Sequence, residues 1–213
     1  MQSLEIAIFV QFFVGLIAAV NPIGIMPVFV SLTAHMSPAD RNRTAYVANV
    51  AVLVILTVSL LAGQFLLDMF GISLDSFRVG GGILLLSIAF SMMSGKLGED
   101  KQNKQEETES ISREQVGVVP LAMPLMAGPG AISSTIVYGS RYPGSMNTLG
   151  FIATLALFVF ACWLLYRSAP LLVRFLGQTG INVITRIMGL ILAALGIEFI
   201  ATGMRALFPG LAG

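Results

Sequence analysis

Asn21-Pro22-Ile23-Gly24-Ile25-Met26-Pro27 sets a capping side chain, two prolines and a glycine inside an apolar run from about residue 6 to residue 32. A plain spanning helix needs about 20 apolar residues and has no use for such a cluster. Each proline removes a backbone donor and disfavours a straight helix. Asn is a favoured N-cap, and Pro suits the first helical position, so Asn21-Pro22 predicts the start of a half-helix inside the membrane. Pro124-Leu125-Met126-Ala127-Gly128-Pro129-Gly130 does the same in a later apolar run, with Gly128 as the cap. Broken helices in corresponding halves of a chain mark the binding site of a transporter.

The chemistry available at such breaks is anion binding. A helix start leaves backbone N–H groups unpaired and carries a partial positive charge, so it receives a carboxylate without an arginine. The donors expected free are those near Ile23, Gly24 and Ile25, and near Gly130, Ala131 and Ile132. Gly24, Gly128 and Gly130 allow close approach to the backbone. Asn21 offers a carboxamide, and Ser133, Ser134 and Thr135 offer hydroxyls. Carbonyls near 18–20 and 125–127 are set to take an ammonium. The candidate substrate site is therefore Asn21, Pro22, Ile23, Gly24, Gly128, Pro129, Gly130, Ala131 and Ser133, and a zwitterion with a tiny side chain fits it. The competing interpretation is that both breaks are packing kinks, which membrane helices tolerate.

Glu198 is the one carboxylate deep in an apolar run, about twelve residues after Arg186 and seven before Arg205. Intramembrane acids are functional candidates by default, here for proton coupling. Glu198 falls opposite a stripe of small residues, Gly189, Ala193, Gly196 and Gly203, and shares its face with Thr202 and Arg205, so a structural pairing with Arg205 is the alternative. Gly80, Ser87, Ser91 and Ser94 share a face that is expected to pack against another helix. Arg78 and Arg186 are expected to snorkel to the interface, with anion steering as the lesser alternative. Met26, Met123 and Met126 are expected to fill gaps rather than bind metal. Cys162 and Trp163 are expected to face lipid or core. The single histidine, His35, and the lack of an H-E-x-x-H pattern leave no constellation for intramembrane hydrolysis. No enzyme activity, cofactor or metal is expected.

These residues must be carried by an all-α, polytopic membrane protein. Of 213 residues, 56% are hydrophobic and 11% charged, with a mean hydropathy of +0.87; soluble domains carry roughly 25% charged residues. A net charge of +1 gives no reason to expect nucleic acid. Six apolar segments are expected at about 6–32, 45–67, 77–93, 116–138, 149–166 and 187–207. No Lys or Arg precedes Arg41, so the first segment reads as a mature span rather than a cleaved leader. The segment 96–115 is polar, charged and free of aromatics, and reads as a solvated linker between a first repeat at 1–95 and a second at 116–213. Arg78, Gly81 and Gly95 recur as Arg186, Gly189 and Gly203 at an offset of 108. Three spans per half is an odd number, so the second half enters the membrane inverted. The predicted architecture is six transmembrane helices as two inverted three-helix repeats, with helices 1 and 4 discontinuous.

Lys and Arg set the orientation. With the N-terminus outside, nine basic residues fall inside and three, Arg78, Arg141 and Arg205, outside. If each broken helix were instead a re-entrant hairpin, the split would be eight to four. Full crossings with both termini outside are the expectation.

Asn21-Pro-Ile-Gly-Ile-Met-Pro-Val-Phe29, Ala127-Gly-Pro-Gly-Ala-Ile-Ser133 and Thr185-Arg-Ile-Met-Gly189-Leu-Ile-Leu-Ala-Ala together resemble the MarC family over essentially the whole chain. The resemblance implies a six-span protein of the bacterial inner membrane. Some relatives are described as transporters of small neutral amino acids such as glycine and alanine. The family name refers to multiple antibiotic resistance. The long linker and Glu198 depart from the general pattern. The reading that follows is alternating-access transport of a small neutral amino acid, with H+ or Na+ as coupling partner and the lipid bilayer as solvent; oligomeric state is not legible. The alternatives are efflux of a drug or metabolite, or a non-transporting scaffold, which would need no broken helices.

Overall fold

A computed structural model describes residues 2–34, 36–94 and 126–212. Every regular element among them is helical: α1 (Gln2–Val20), α2 (Pro22–Leu32), α3 (Pro38–Met69), α4 (Leu74–Ser94), α5 (Pro129–Arg141), α6 (Ser145–Arg167) and α7 (Ala169–Leu207), closed by a 3₁₀ turn at Pro209–Ala212. Five stretches are long and apolar enough to cross a membrane: Ile6–Val30, Pro38–Met69, Leu74–Ser94, Ser145–Arg167 and Ala169–Leu207. The expected linker at 96–115 and the start of the expected fourth segment, including Pro124 and Leu125, lie outside the described residues. So do His35, Gly95 and Met123.

Two spans are longer than their apolar runs suggested. α3 begins at Pro38, because Ser37 caps it: the Asp40 N–H donates to Ser37 Oγ at 3.2 Å, and Ser37 Oγ–H returns a bond to Asp40 Oδ2 at 2.7 Å. Such a serine cap starts a helix in polar sequence. α7 begins at Ala169, where 167–186 was expected to be a loop. Pro170 sits in its first turn, and Leu172, Val173 and Leu176 pack on the core. Gly177 then bends the helix at φ 62°, a conformation that costs glycine little.

α4 and α7 form the most extensive pair, and they run antiparallel. A Cβ on Gly82 would stand 2.6 Å from the Gly196 carbonyl oxygen, and one on Gly196 would stand 2.9 Å from that of Gly82. Gly189 lies against the Ala89 carbonyl and Gly203 against that of Asp75. Glycines at every seventh residue of α7 thus let two backbones touch along most of a span, which is how helices associate in lipid without a hydrophobic driving force. The stripe predicted on α7 is therefore a packing seam. The face predicted on α4 is not. Gly80, Ser87 and Ser94 are exposed, and packing uses Gly81, Gly82, Leu85, Ala89 and Met92 instead. One residue of register is a rotation of about 100° around a helix. The sequence Gly80-Gly81-Gly82 offers both faces, and only the partner helix selects between them.

Around this pair, α5 packs against α3 and α4, α3 against α6, and α2 against α7. Phe9 and Phe12 of α1 meet Phe151 of α6 at ring separations of 5.2 Å, and Phe12 meets Tyr138 of α5 at 5.1 Å. Met26, Met126 and Cys162 are buried in the core, and Trp163 packs against it.

Candidate functional site

The first break falls where the prolines and Asn21 put it. α1 stops at Val20, Asn21 takes φ 48°, and α2 begins at Pro22. Asparagine enters this left-handed region more readily than most side chains. The Gly24 N–H donates to Asn21 Oδ1 at 3.2 Å, so Asn21 is the N-cap that its side chain suggested. The last bond of α1 and the first of α2 meet at Asn21: its N–H donates to the Ile17 carbonyl at 2.9 Å, and its carbonyl accepts from the Ile25 N–H at 3.2 Å. The chain passes on as a kinked span, since Phe13 of α1 meets Phe158 and Phe29 of α2 meets Tyr166 further along α6.

This geometry corrects the expected donor set. The N–H groups of Gly24 and Ile25 are already taken by Asn21. The space over Gly24 is also filled. A Cβ there would collide with Asn21 Nδ2 and come within 2.8 Å of Thr185 Oγ1. Asn21 Nδ2 itself donates to Thr185 Oγ1 at 3.3 Å across 164 residues, with both side chains buried. Pro22 is buried beside them, and Ile23 is half-buried.

The second break is built differently. Gly128 is extended at φ −70° and ψ 170°, Pro129 opens α5, and no side chain caps the end. The Ile132 N–H is satisfied by the Gly128 carbonyl at 3.1 Å. Gly130 and Ala131 are buried, with Gly130 against the tips of Leu85 and Ile88 of α4. Ser133 fills the space over Gly81 of α4, and its buried Oγ has no hydrogen-bond partner among the described residues. Pro129 and Ser133 line a cavity of about 560 Å³ whose other walls, among them Ile72, Phe77 and Leu84, are mostly apolar. Ser134 and Thr135 are buried, and Thr135 Oγ1 donates to the Ala131 carbonyl at 2.8 Å.

The two half-helix starts do not pair with each other. Instead each docks on the long helix of the opposite half: Asn21 and Gly24 on α7, Gly130 and Ser133 on α4. α2 and α5 do not form one of the substantial helix pairs.

Glu198 lies on the face of α7 opposite the glycine seam and is exposed, as its register implied. Its hydrogen bond comes from Thr202 Oγ1 at 3.3 Å. It lines a second cavity, of about 400 Å³, together with Gln11, Arg78, Tyr138, Arg141 and Thr202. Arg78 does not snorkel. It is 5% exposed, its Nη1 is 3.9 Å from Asp75 Oδ1, and its guanidinium lies 5.9 Å from the Phe199 ring centre. Arg186, its counterpart at the 108 offset, is exposed as expected.

Residues 6–208 match the family described as MarC family integral membrane protein. The chain belongs to the MarC family. It is 60% identical over 207 residues to the UPF0056 membrane protein YhcE of Escherichia coli (strain K12), covering 97% of this chain and 96% of that one. A UPF0056 membrane protein of Buchnera aphidicola subsp. Schizaphis graminum (strain Sg) is 50% identical over 207 residues, with the same coverage. One of Aquifex aeolicus (strain VF5) is 38% identical over 204 residues, covering 94% of each chain. No solved structure matches the chain. This MarC-family chain is therefore a multi-pass integral membrane protein, with broad apolar faces left exposed on α3, α4, α6 and α7.

Sequence reasoning missed the cavity that gathers Arg78, Arg141 and Glu198 in this MarC-family bundle. A signal was present. Arg78, Arg141 and Arg205 were the three basic residues assigned to one side, and Glu198 lies seven residues before Arg205. Charges sparse enough to be counted singly can be grouped by side before any contact is known.

Proposed function

We propose that this protein is a carrier, not an enzyme, that moves a small neutral amino acid such as glycine or alanine by alternating access between two inverted three-helix repeats. The observation that carries the reading is the crossed docking of the interrupted helices. The start of α2 rests on α7 through Asn21 and Thr185, and the start of α5 rests on α4 through Ser133 and Gly81. An exchange of halves at an offset of 108 carries one contact region toward the other and maps the antiparallel α4–α7 seam onto itself. The uncapped end of α5 beside the unpaired Ser133 hydroxyl is the better candidate for a carboxylate, because the α2 end is capped by its own Asn21. Interrupted helices whose N-termini receive a substrate carboxylate are a recurring device of secondary transporters.

Counterflow in proteoliposomes tests this. Vesicles loaded with unlabelled alanine should accumulate labelled alanine or glycine, and protein-free vesicles should not. No counterflow across a panel of small neutral amino acids would remove the reading. Glu198 is proposed as the proton-coupling group, with H+ as the coupling ion, because it is the one carboxylate deep in an apolar run and lines a polar cavity. Glu198→Gln should then lose pH-gradient-driven uptake and keep counterflow. Unchanged driven uptake would leave Glu198 with a structural role.

The proposed setting is the bacterial inner membrane with both termini outside, on the nine-to-three split of basic residues. A reporter fused after Gly213 should read as periplasmic; a cytosolic signal would reject the orientation.

A further inference from the structure

We propose that the cavity between Arg78 and Arg141 is a binding site for a small solute carrying a single carboxylate. The cavity draws its walls from α1, α4, α5 and α7, and its volume of about 400 Å³ falls in the range of small-molecule sites. Arg78 is the decisive residue. Its side chain is only 6% exposed, and burying a guanidinium in a span is costly unless its donors are used. They are not fully used. Asp75 at 3.9 Å is beyond hydrogen-bond distance, and Arg78 Nε is buried with no partner among the described residues. Arg141 lines the same cavity from the end of α5 and is exposed, with its guanidinium 5.5 Å from the Tyr142 ring centre.

The charge balance selects the class of ligand. Two guanidinium groups line the cavity against one carboxylate, Glu198, which already accepts a bond from Thr202. Asp75, 3.9 Å from Arg78, brings the local charges close to balance, which disfavours a dianionic phosphate, and the open Nε of Arg78 calls for a single carboxylate. A planar guanidinium with open donors also matches the two oxygens of a carboxylate. This site is separate from the half-helix starts, and binding there does not require that anything be transported. Absent counterflow therefore leaves the proposal standing, and failed carboxylate binding leaves counterflow standing.

Propionate is the probe, because it carries the carboxylate without an amine. The full chain in a maltoside detergent, free of phosphate, should be stabilised by propionate in a saturable manner, more weakly as salt is raised. Arg141→Gln alters an exposed side chain at a helix end, so it should fold normally and weaken propionate binding at least about tenfold. Arg78→Lys keeps the charge and loses the fork, and should weaken it by a similar factor while melting close to the parent without ligand. A well-folded parent that propionate does not stabilise would overturn the proposal, as would unchanged affinity in both variants. Displacement of propionate by a few mole per cent of phosphatidylglycerol would also overturn it, by making the occupant a lipid headgroup.

Discussion

Gly82→Leu and Gly196→Leu should each abolish the folded bundle, whereas Gly80→Leu, two residues away on the same helix, should leave it intact. At Gly82 a Cβ would stand 2.6 Å from the Gly196 carbonyl oxygen and 2.7 Å from Ile200 Cγ1. At Gly196 it would stand 2.9 Å from the Gly82 carbonyl and 3.0 Å from Leu86 Cγ. The obstructing atoms include backbone, which cannot rotate away as a side chain can. The helices would have to separate, and the loss would extend along a seam that includes Gly189 and Gly203. Overpacking of an ordinary core costs about 1–3 kcal/mol. Here the cost should exceed about 4 kcal/mol, the range reserved for disruption of a whole contact. Gly80 has nothing within 4 Å of its Cβ position, and replacing an exposed helical glycine removes a backbone-entropy penalty of about 1 kcal/mol. Monodisperse yield after detergent extraction and the melting temperature measure the contrast. Equal behaviour of Gly80→Leu and Gly82→Leu would refute the seam.

The second large effect should separate two glycines with matching places in sequence. Gly24→Ala should cost about 2 kcal/mol or more, and Gly130→Ala less than about 1 kcal/mol. At Gly24 the new methyl would occupy the position of the Asn21 carboxamide, ending both the cap to Gly24 N–H and the bond to Thr185. A lost cap is worth about 0.5–2 kcal/mol, and the buried Thr185 hydroxyl would be left to find another partner. Asn21→Ala removes the same two bonds, so its melting temperature should fall by a similar amount. At Gly130 the methyl meets only the tips of Leu85 and Ile88 at 3.0 Å, which can give. A bulkier Gly130→Val should then reduce alanine binding more than it reduces folding, while Gly24→Val should lose folding first. The same rank order at both positions would show that the breaks are not the unlike structures described above.

The helical breaks and most of the spans were legible because their causes are local. Asn21-Pro22 and Gly128-Pro129 write a cap and a first turn directly into the chain, and apolar runs of bilayer length need no partner to be recognised. Three features were not legible, each because it depends on a neighbour. The helix from Ala169 has a proline and two charged or polar interruptions, Arg174 and Gln178, and forms because one face finds the core. The packing face of α4 is fixed by where α7 places Gly196. The burial of Arg78 reverses the rule that basic residues near span ends reach for headgroups, because Phe199 and the α5 residues Tyr138 and Arg141 close around it. The donors of the first half-helix are filled by the very cap that the sequence predicts, Asn21 Oδ1 on the Gly24 N–H, and only the hold of Thr185 on Asn21 Nδ2 depends on a distant helix.

In mechanical terms, α4 and α7 make one strut. At Gly82–Gly196, Gly189–Ala89 and Gly203–Asp75 their contact reaches the backbone, with Leu86, Met92, Met93 and Ile200 packed around it. A displacement of either helix along the seam would drive a carbonyl of one into an α-carbon of the other within a fraction of a turn. Compliance must therefore sit elsewhere. α2 joins the strut through the Asn21–Thr185 bond and its packing on α7, and α5 through Ser133 over Gly81 and Gly130 against Leu85 and Ile88. Both interrupted helices thus start from fixed points on one beam, and the beam sets the distance between them.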